Sequence, residues 1–176
     1  MDKILVVIDM QNDFVTGSLR NEDAIRIIPN VEKKIEEALA SEIPVYFTQD
    51  THYPNYLSLE EGKNLPVEHC IAGTWGWEII PELKEYAENM RCGVYQKYTF
   101  GCTNLGERLS DKYIKEIEII GICTDICVIS NALLLKAFCP NAHIVVDASC
   151  CAGVTPESHR TALEAMKACQ IEIIGD

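Results

Sequence analysis

The sequence predicts an α/β fold: one domain over residues 1–176, built as a three-layer sandwich with a mostly parallel six-stranded sheet between helices. Three observations carry that prediction. Strand-like and helix-like segments alternate from one end of the chain to the other. The strand-like runs are continuous in β-branched residues, as in strands buried on both faces, and do not alternate with polar residues. A chain of 176 residues that is 48% hydrophobic can fill one core but leaves little room for a second.

The elements follow in order. Ile4 through Ile8 is the first apolar run, and Val31, Ile35 and Leu39 give the helical spacing after it. Pro44 through Thr48 is the second strand. Residues 50–76 lack periodicity, and an aperiodic stretch of that length in a compact domain is usually functional or disordered. Ile79, Leu83 and Tyr86 mark a helix, and Gly93 through Lys97 is the weakest strand. Ile117 through Gly121 is the fourth strand, followed by an apolar helix from Val128 to Phe138. His143 through Asp147 is the fifth. A last helix has its apolar part at Thr161 to Cys169, with Pro156 and Glu157 in its first turn, and the strand Ile171 through Ile174 follows.

Charge narrows the partners. Against 27 Asp and Glu stand 15 Lys and Arg, a net charge of −12. Nucleic acid and anionic membrane both reward a basic face, so neither is expected to bind. No apolar run reaches the ~18 residues a membrane span needs. Met1-Asp-Lys leads directly into a strand, without the charged and apolar pattern of a secretory signal. The nine cysteines are therefore expected as free thiols in a reducing cytoplasm. A small molecule, a metal ion or another protein is the partner left.

In an open parallel sheet, ligands bind outside the carboxyl ends of the strands. Those ends hold Asp9, then Asp50 and His52, then Lys97, then the run Gly121 to Cys127, then Asp147. Three acids, a lysine and a cysteine pair are thus expected on one edge. A nucleophilic cysteine needs a cation, a base or a helix N-terminus to favour its thiolate. Thr124 suits the N-cap of the helix after the fourth strand, which puts Cys127 third in its first turn. Free amides at Cys127 and around Cys123 suit an oxyanion, Asp9 suits proton exchange, and Lys97 suits charge stabilisation. In the loop after the second strand, Asp50, His52 and His69, with Glu60 and Glu61 between, offer mixed nitrogen and oxygen ligands to zinc, iron or manganese.

Asp9-Met-Gln-Asn-Asp-Phe14, Lys97, and Gly121-Ile-Cys-Thr-Asp-Ile-Cys-Val128, in this order, resemble the cysteine hydrolases of the isochorismatase-like superfamily. Asp50-Thr-His52 and His69-Cys70 point to its nicotinamidase branch. The resemblance spans nearly the whole chain and implies a Rossmann-like three-layer sandwich, a hydrolase domain over residues 1–176, and a homo-oligomer. It places a catalytic triad on Asp9, Lys97 and Cys127. It also implies a cis peptide between Ile122 and Cys123 that turns the Cys123 amide into an oxyanion hole beside that of Cys127. The metal set it implies is Asp50, His52 and His69 with a fourth ligand between them; no histidine lies there, so Glu61 takes the place, ahead of Glu60 and Ser58. Zinc is the first expectation for the metal.

The activity implied is hydrolysis of nicotinamide to nicotinate and ammonia through a thioester. One departure bears on the substrate. The aromatic residue common about three positions before the last histidine is replaced by Leu65-Pro66-Val67, leaving Phe14 as one wall of the ring site and Phe100, Tyr98 or Trp75 as the other. An alternative keeps the triad and changes the substrate to another small amide or an N-carbamoyl compound. A second alternative is a thiol-rich domain that binds metal or protein without turnover. Cys92, Cys139 and Cys169 read as small packing residues, and Cys150 and Cys151 as thiols or a vicinal disulfide.

Overall fold

The computed structural model describes residues 2–89 and 91–176. Six strands form one sheet: β1 Lys3–Ile8, β2 Val45–Asp50, β3 Cys92–Lys97, β4 Glu116–Ile122, β5 His143–Ala152 and β6 Glu172–Ile174. They lie in the order β3-β2-β1-β4-β5-β6, and every named pair is parallel. Among the described residues seven α-helices accompany them: α1 Asn12–Val15, α2 Glu22–Ala40, α3 Glu60–Asn64, α4 Pro81–Ala87, α5 Thr103–Ser110, α6 Ile129–Phe138 and α7 Pro156–Ala168. The expected three layers are present in a single domain.

The pleat of β1 explains the layering. Successive side chains on a strand point to opposite faces. Ile4, Val6 and Ile8 pack with Leu105 and Leu109 of α5, Leu135 of α6 and Met166 of α7. Leu5 and Val7 pack with Val31 and Ile35 of α2 and Leu83 of α4. Both faces are therefore dry, which is why the strand sequences are apolar without alternation. No described helix is long and apolar enough to cross a membrane.

The chain leaves β1 toward β2 on one side, while β4 lies on the other. The strand order thus reverses between β1 and β4, at the point where open α/β sheets bind ligands. Gly121 permits the close approach there: its φ is +114°, and a Cβ would lie 2.2 Å from the Ile8 carbonyl oxygen. Asp9, immediately after β1, adopts φ 48°, a left-handed conformation that aspartate tolerates better than most residues.

Two expectations are corrected here. Asp147 is not at the end of its strand, because β5 continues to Ala152. It pairs in register with Ile174 and forms an ion pair with Lys34 at 2.7 Å, away from the carboxyl edge. The aperiodic stretch 50–76 also has more local order than its sequence suggests. It holds α3, single turns at Tyr56–Ser58 and Trp75–Trp77, and a parallel bridge between His52 and Ile71. These pieces are too short to produce a readable period.

Candidate active site

Lys97, the last residue of β3, is the centre of the site. Its Nζ lies 2.8 Å from Asp9 Oδ2, 2.8 Å from Asp50 Oδ1, 3.1 Å from the Thr99 carbonyl and 3.4 Å from Cys127 Sγ. Lysine, both acids and the thiol are all buried. Thr48 Oγ1 donates to Asp9 Oδ1 at 2.6 Å and accepts from the Asp9 amide at 3.2 Å, tying one carboxylate oxygen to the residue's own backbone.

Burial governs the proton affinities in this group. It raises the Asp9 carboxyl above the ordinary range, with Asp50 adding to the effect and Lys97 opposing it. Burial pushes the Cys127 thiol well above its usual value, and the Lys97 charge offsets only part of this. Burial alone would lower Lys97, but Asp9, Cys127 and Asp50 together hold it well above the usual lysine range. Burial thus opposes the Cys127 thiolate, while the Lys97 ammonium favours it.

A π-type turn over Thr124–Val128 carries the thiol, and the Ile122–Cys123 peptide that precedes it is cis. Cys123 stands just before the turn and Thr124 is its first residue, so the expected cap is displaced by one position. Thr124 does not cap the turn, because its Oγ1 is taken by His159 Nδ1 at 2.8 Å.

Asp50 joins this group to a second one. Its Oδ2 lies 2.9 Å from His52 Nε2 and 3.6 Å from His69 Nε2, while its Oδ1 holds Lys97. One ligand atom from each of Asp50, His52 and His69 falls within 4.8 Å of the others. Glu61 Oε1 faces the same point, 3.6 Å from His52 Nε2 and 3.8 Å from His69 Nε2. Glu60 instead pairs with Lys63 at 3.6 Å with its side chain 84% exposed, and Ser58 Oγ donates to the Asn55 carbonyl. The His69 Nδ1 proton goes to the Val67 carbonyl at 2.8 Å, which leaves Nε2 free to ligate. Burial opposes the Asp50 charge, yet the two imidazoles and Lys97 hold its carboxyl well below the usual range.

Whether these residues fit a metal can be judged from His52. Its buried Nε2 lies 2.9 Å from Asp50 Oδ2 yet makes no well-aligned hydrogen bond, as expected of two atoms that face one ion and not each other. Two imidazole nitrogens and carboxylate oxygens are the donors a divalent transition ion prefers, and one lysine against Asp9, Asp50 and Glu61 leaves negative charge to offset. The residues fit.

A cavity of about 780 Å³ opens above both groups. Cys127, Cys123, Asp50, His69, Phe14 and Phe100 all reach it. Phe14 packs against His69 with ring centroids 5.6 Å apart. The other two candidate walls lie elsewhere: Trp75 is 57% exposed, and Tyr98 stacks on Tyr53 at 6.3 Å.

Several positioning residues escaped the sequence argument. Gln11 grips the Asp50 backbone, accepting from its amide at 2.7 Å and donating to its carbonyl at 2.9 Å. Asp13 Oδ2 accepts the Cys70 amide at 2.8 Å, next to His69. Both lie in the Asp9 to Phe14 motif, which was the available signal; nothing in the sequence marked Thr48. All nine cysteines are free thiols, so Cys150 and Cys151 form no vicinal disulfide, and Cys169 is exposed and not a packing residue.

The isochorismatase domain model matches residues 3–175. The chain is 33% identical over 144 residues to Nicotinamidase 1 of Arabidopsis thaliana; the match covers 70% of this chain and 56% of that protein. Among solved structures, it superposes on the pyrazinamidase of Pyrococcus horikoshii in complex with zinc with a TM-score of 0.87, at 26% identity and 100% coverage of both chains. It superposes on N-carbamoylsarcosine amidase of Thermoplasma acidophilum with a TM-score of 0.82, at 26% identity, covering 99% of this chain and 96% of that one. The chain belongs to the isochorismatase family. Within it, this is a hydrolytic enzyme of the nicotinamidase-like kind.

Proposed function

We propose that residues 1–176 form one metal-containing cysteine amidohydrolase that converts nicotinamide to nicotinate and ammonia, with Asp9, Lys97 and Cys127 as its catalytic residues. The observation that carries this reading is the single ammonium of Lys97 in contact with Asp9, Asp50 and Cys127 Sγ, the last two of which belong to residues that line one cavity.

A buried neutral thiol needs a base at the moment it attacks, and a buried carboxylate with raised proton affinity is suited to that task. As the Cys127 sulfur bonds to the amide carbon, its proton passes to Asp9 and the carbonyl oxygen becomes an oxyanion. The amides of Cys123 and Cys127, beside the cis peptide and in the first turn after it, donate to that oxygen. The carbon–nitrogen bond then breaks, Asp9 returns the proton to the departing ammonia, and a thioester remains. Water attacks the thioester while Asp9 takes its proton. The carbon–sulfur bond breaks, nicotinate leaves, and the thiol regains a proton. Lys97 balances the charge that moves between sulfur and carboxylate.

Asp50, His52, His69 and Glu61 would hold the metal, with zinc the first choice. When bound, it supplies a Lewis-acid anchor for a ring nitrogen and an ordered water. Phe14 and Phe100 would flank the ring. The protein would act in NAD salvage in a reducing cytoplasm, in keeping with its nine free thiols, and as a homo-oligomer, as the family resemblance implies. A second reading, an N-carbamoyl or other small amide as substrate, is favoured by Leu65 in the cavity wall, in the stretch where many nicotinamidases place an aromatic residue.

The test is ammonia release across a panel of small amides with parent and Cys127→Ala protein. Nicotinamide is expected to be preferred, and the variant to lose roughly 10⁴-fold or more in kcat. Parent-like turnover by Cys127→Ala sinks the mechanism; preference for a carbamoyl compound moves the substrate to the second reading.

A further inference from the structure

Asn131 lies on α6, four residues beyond Cys127, and is completely buried. Its amide is fully engaged. Nδ2 donates to the Cys127 carbonyl at 2.7 Å and to the Phe100 carbonyl at 3.0 Å, and Oδ1 accepts the Cys102 amide at 2.8 Å. Two of these three bonds hold the segment that follows Lys97. That segment also contains Thr99, whose carbonyl accepts from Lys97 Nζ at 3.1 Å, and Phe100, which lines the cavity beside Cys127. The segment is pressed onto the same helix at Gly101, where a Cβ would come 3.3 Å from Leu134 Cδ2.

One side chain thus joins the backbone of the thiol to the backbone around the lysine, 30 residues apart. The π-type turn makes such a tie useful, because it interrupts the regular helical bonding that would otherwise fix the Cys127 backbone. We propose that Asn131 is a positioning residue: it sets the separation of the Cys127 thiol from the Lys97 ammonium and holds the Phe100 wall against the site. The proposal rests on the reading of Cys127 as nucleophile given above. Asn131 does not line the cavity, and its polar atoms bind only backbone.

The test compares Asn131→Asp and Asn131→Ser with the parent. Asn131→Asp keeps the acceptor but turns an oxygen toward two carbonyls, and Asn131→Ser removes the ties. Three quantities are measured: kcat and KM for nicotinamide, thermal stability, and the pH midpoint of Cys127 alkylation by iodoacetamide, followed by peptide mass spectrometry. The expected result is a fall in kcat of roughly 10–100-fold, the range seen when a group supporting a reactive one is removed, with a smaller change in KM. The alkylation midpoint should move upward as the ammonium loses its hold on the sulfur. Parent-like kcat and midpoint with only a lower melting temperature overturn the proposal, because that is what a purely structural amide would give. Gly101→Ala displaces the same segment from its other side and serves if neither Asn131 variant folds; there too a raised midpoint is expected, and unchanged kinetics and midpoint overturn the idea. Alkylation does not depend on the substrate. If the parent ignores nicotinamide, the substrate reading fails alone and the midpoint still decides the role of Asn131.

Discussion

The sheet holds two buried ion networks made from the same ingredients. Midway along it, Lys34 pairs with Glu118 at 2.9 Å and with Asp147 at 2.7 Å, while Lys3 reaches Glu118 at 2.7 Å and Glu116 at 2.8 Å. At the carboxyl edge, Lys97 pairs with Asp9 and Asp50. The lysines of the first network come in from solvent, with side chains a quarter to a third exposed, so their heads stay partly hydrated while the stems cover apolar surface. Lys97 has no such outlet, being 1% exposed along its side chain. The first network spreads two cations over three carboxylates. The second places one cation among Asp9, Asp50 and a thiol, with two imidazoles close by and a cavity above. Ion pairing alone therefore does not mark a reactive site. A fully buried cation and a thiol within reach of the same ammonium, beside a cluster of metal-type donors, do.

Removing each network's central lysine should separate them most sharply. Lys97→Met leaves Asp9 and Asp50 facing each other, and amidase turnover should fall by roughly 10⁴-fold, the scale on which loss of one member of a catalytic triad acts. Lys34→Met should keep parent-like turnover and lose about 1–3 kcal/mol of stability in denaturant melts, less than a fully buried pair would because Lys34 is partly solvated. Equal losses of activity from the two changes would erase the distinction.

Metal removal is the next largest contrast. Dialysis against a chelator, or His52→Ala, should strip the bound metal, as read by elemental analysis, and lower the melting temperature. Ligand present at ~100 times its dissociation constant stabilises by about 2.7 kcal/mol, which for a chain of this size is roughly 5–10 °C. The Lys34 network should stay intact, and a melting temperature indifferent to the chelator would count against a metal at Asp50.

The smallest effect concerns pH. Burial works to raise the Asp147 carboxyl, but Lys34 and Ser149 hold it below the usual range. A carboxyl depressed on folding contributes stability above its unfolded value, near pH ~3.9, and that contribution is lost as pH falls through the lower folded value. The stability gap between parent and Asp147→Asn should thus be constant near neutrality and close on acidification below about pH 4. A gap that widens on acidification would reverse the assignment.

Much of this was readable before any coordinates. Continuous Val and Ile runs announce strands buried on both faces, and four of the five strand ends considered do carry the residues that meet at the site. Asp147 failed because the small residues after it, Ala148 to Ala152, look like a loop and yet continue the strand. Glu61 and Glu60 are neighbours in a short helix, and their sequence context hardly separates them. One faces the histidines and the other pairs with Lys63 at the surface. Asn131 in an apolar helix gave no warning, because its partners are backbone atoms up to 31 residues away.

By itself the sequence determined what is local: the period of each element, the residues that end the strands, the chemical types of the ligands, and the one cysteine in the first turn of a helix after a strand. These follow from contacts within a few residues, where pattern and propensity act. The tertiary structure alone decided that one carboxylate, Asp50, serves both the lysine and the histidines, that Asn131 ties thiol to lysine, and that burial opposes the thiolate. Those outcomes depend on which strands become neighbours and how much water their packing excludes, and desolvation is a property of the assembled core that no single segment carries.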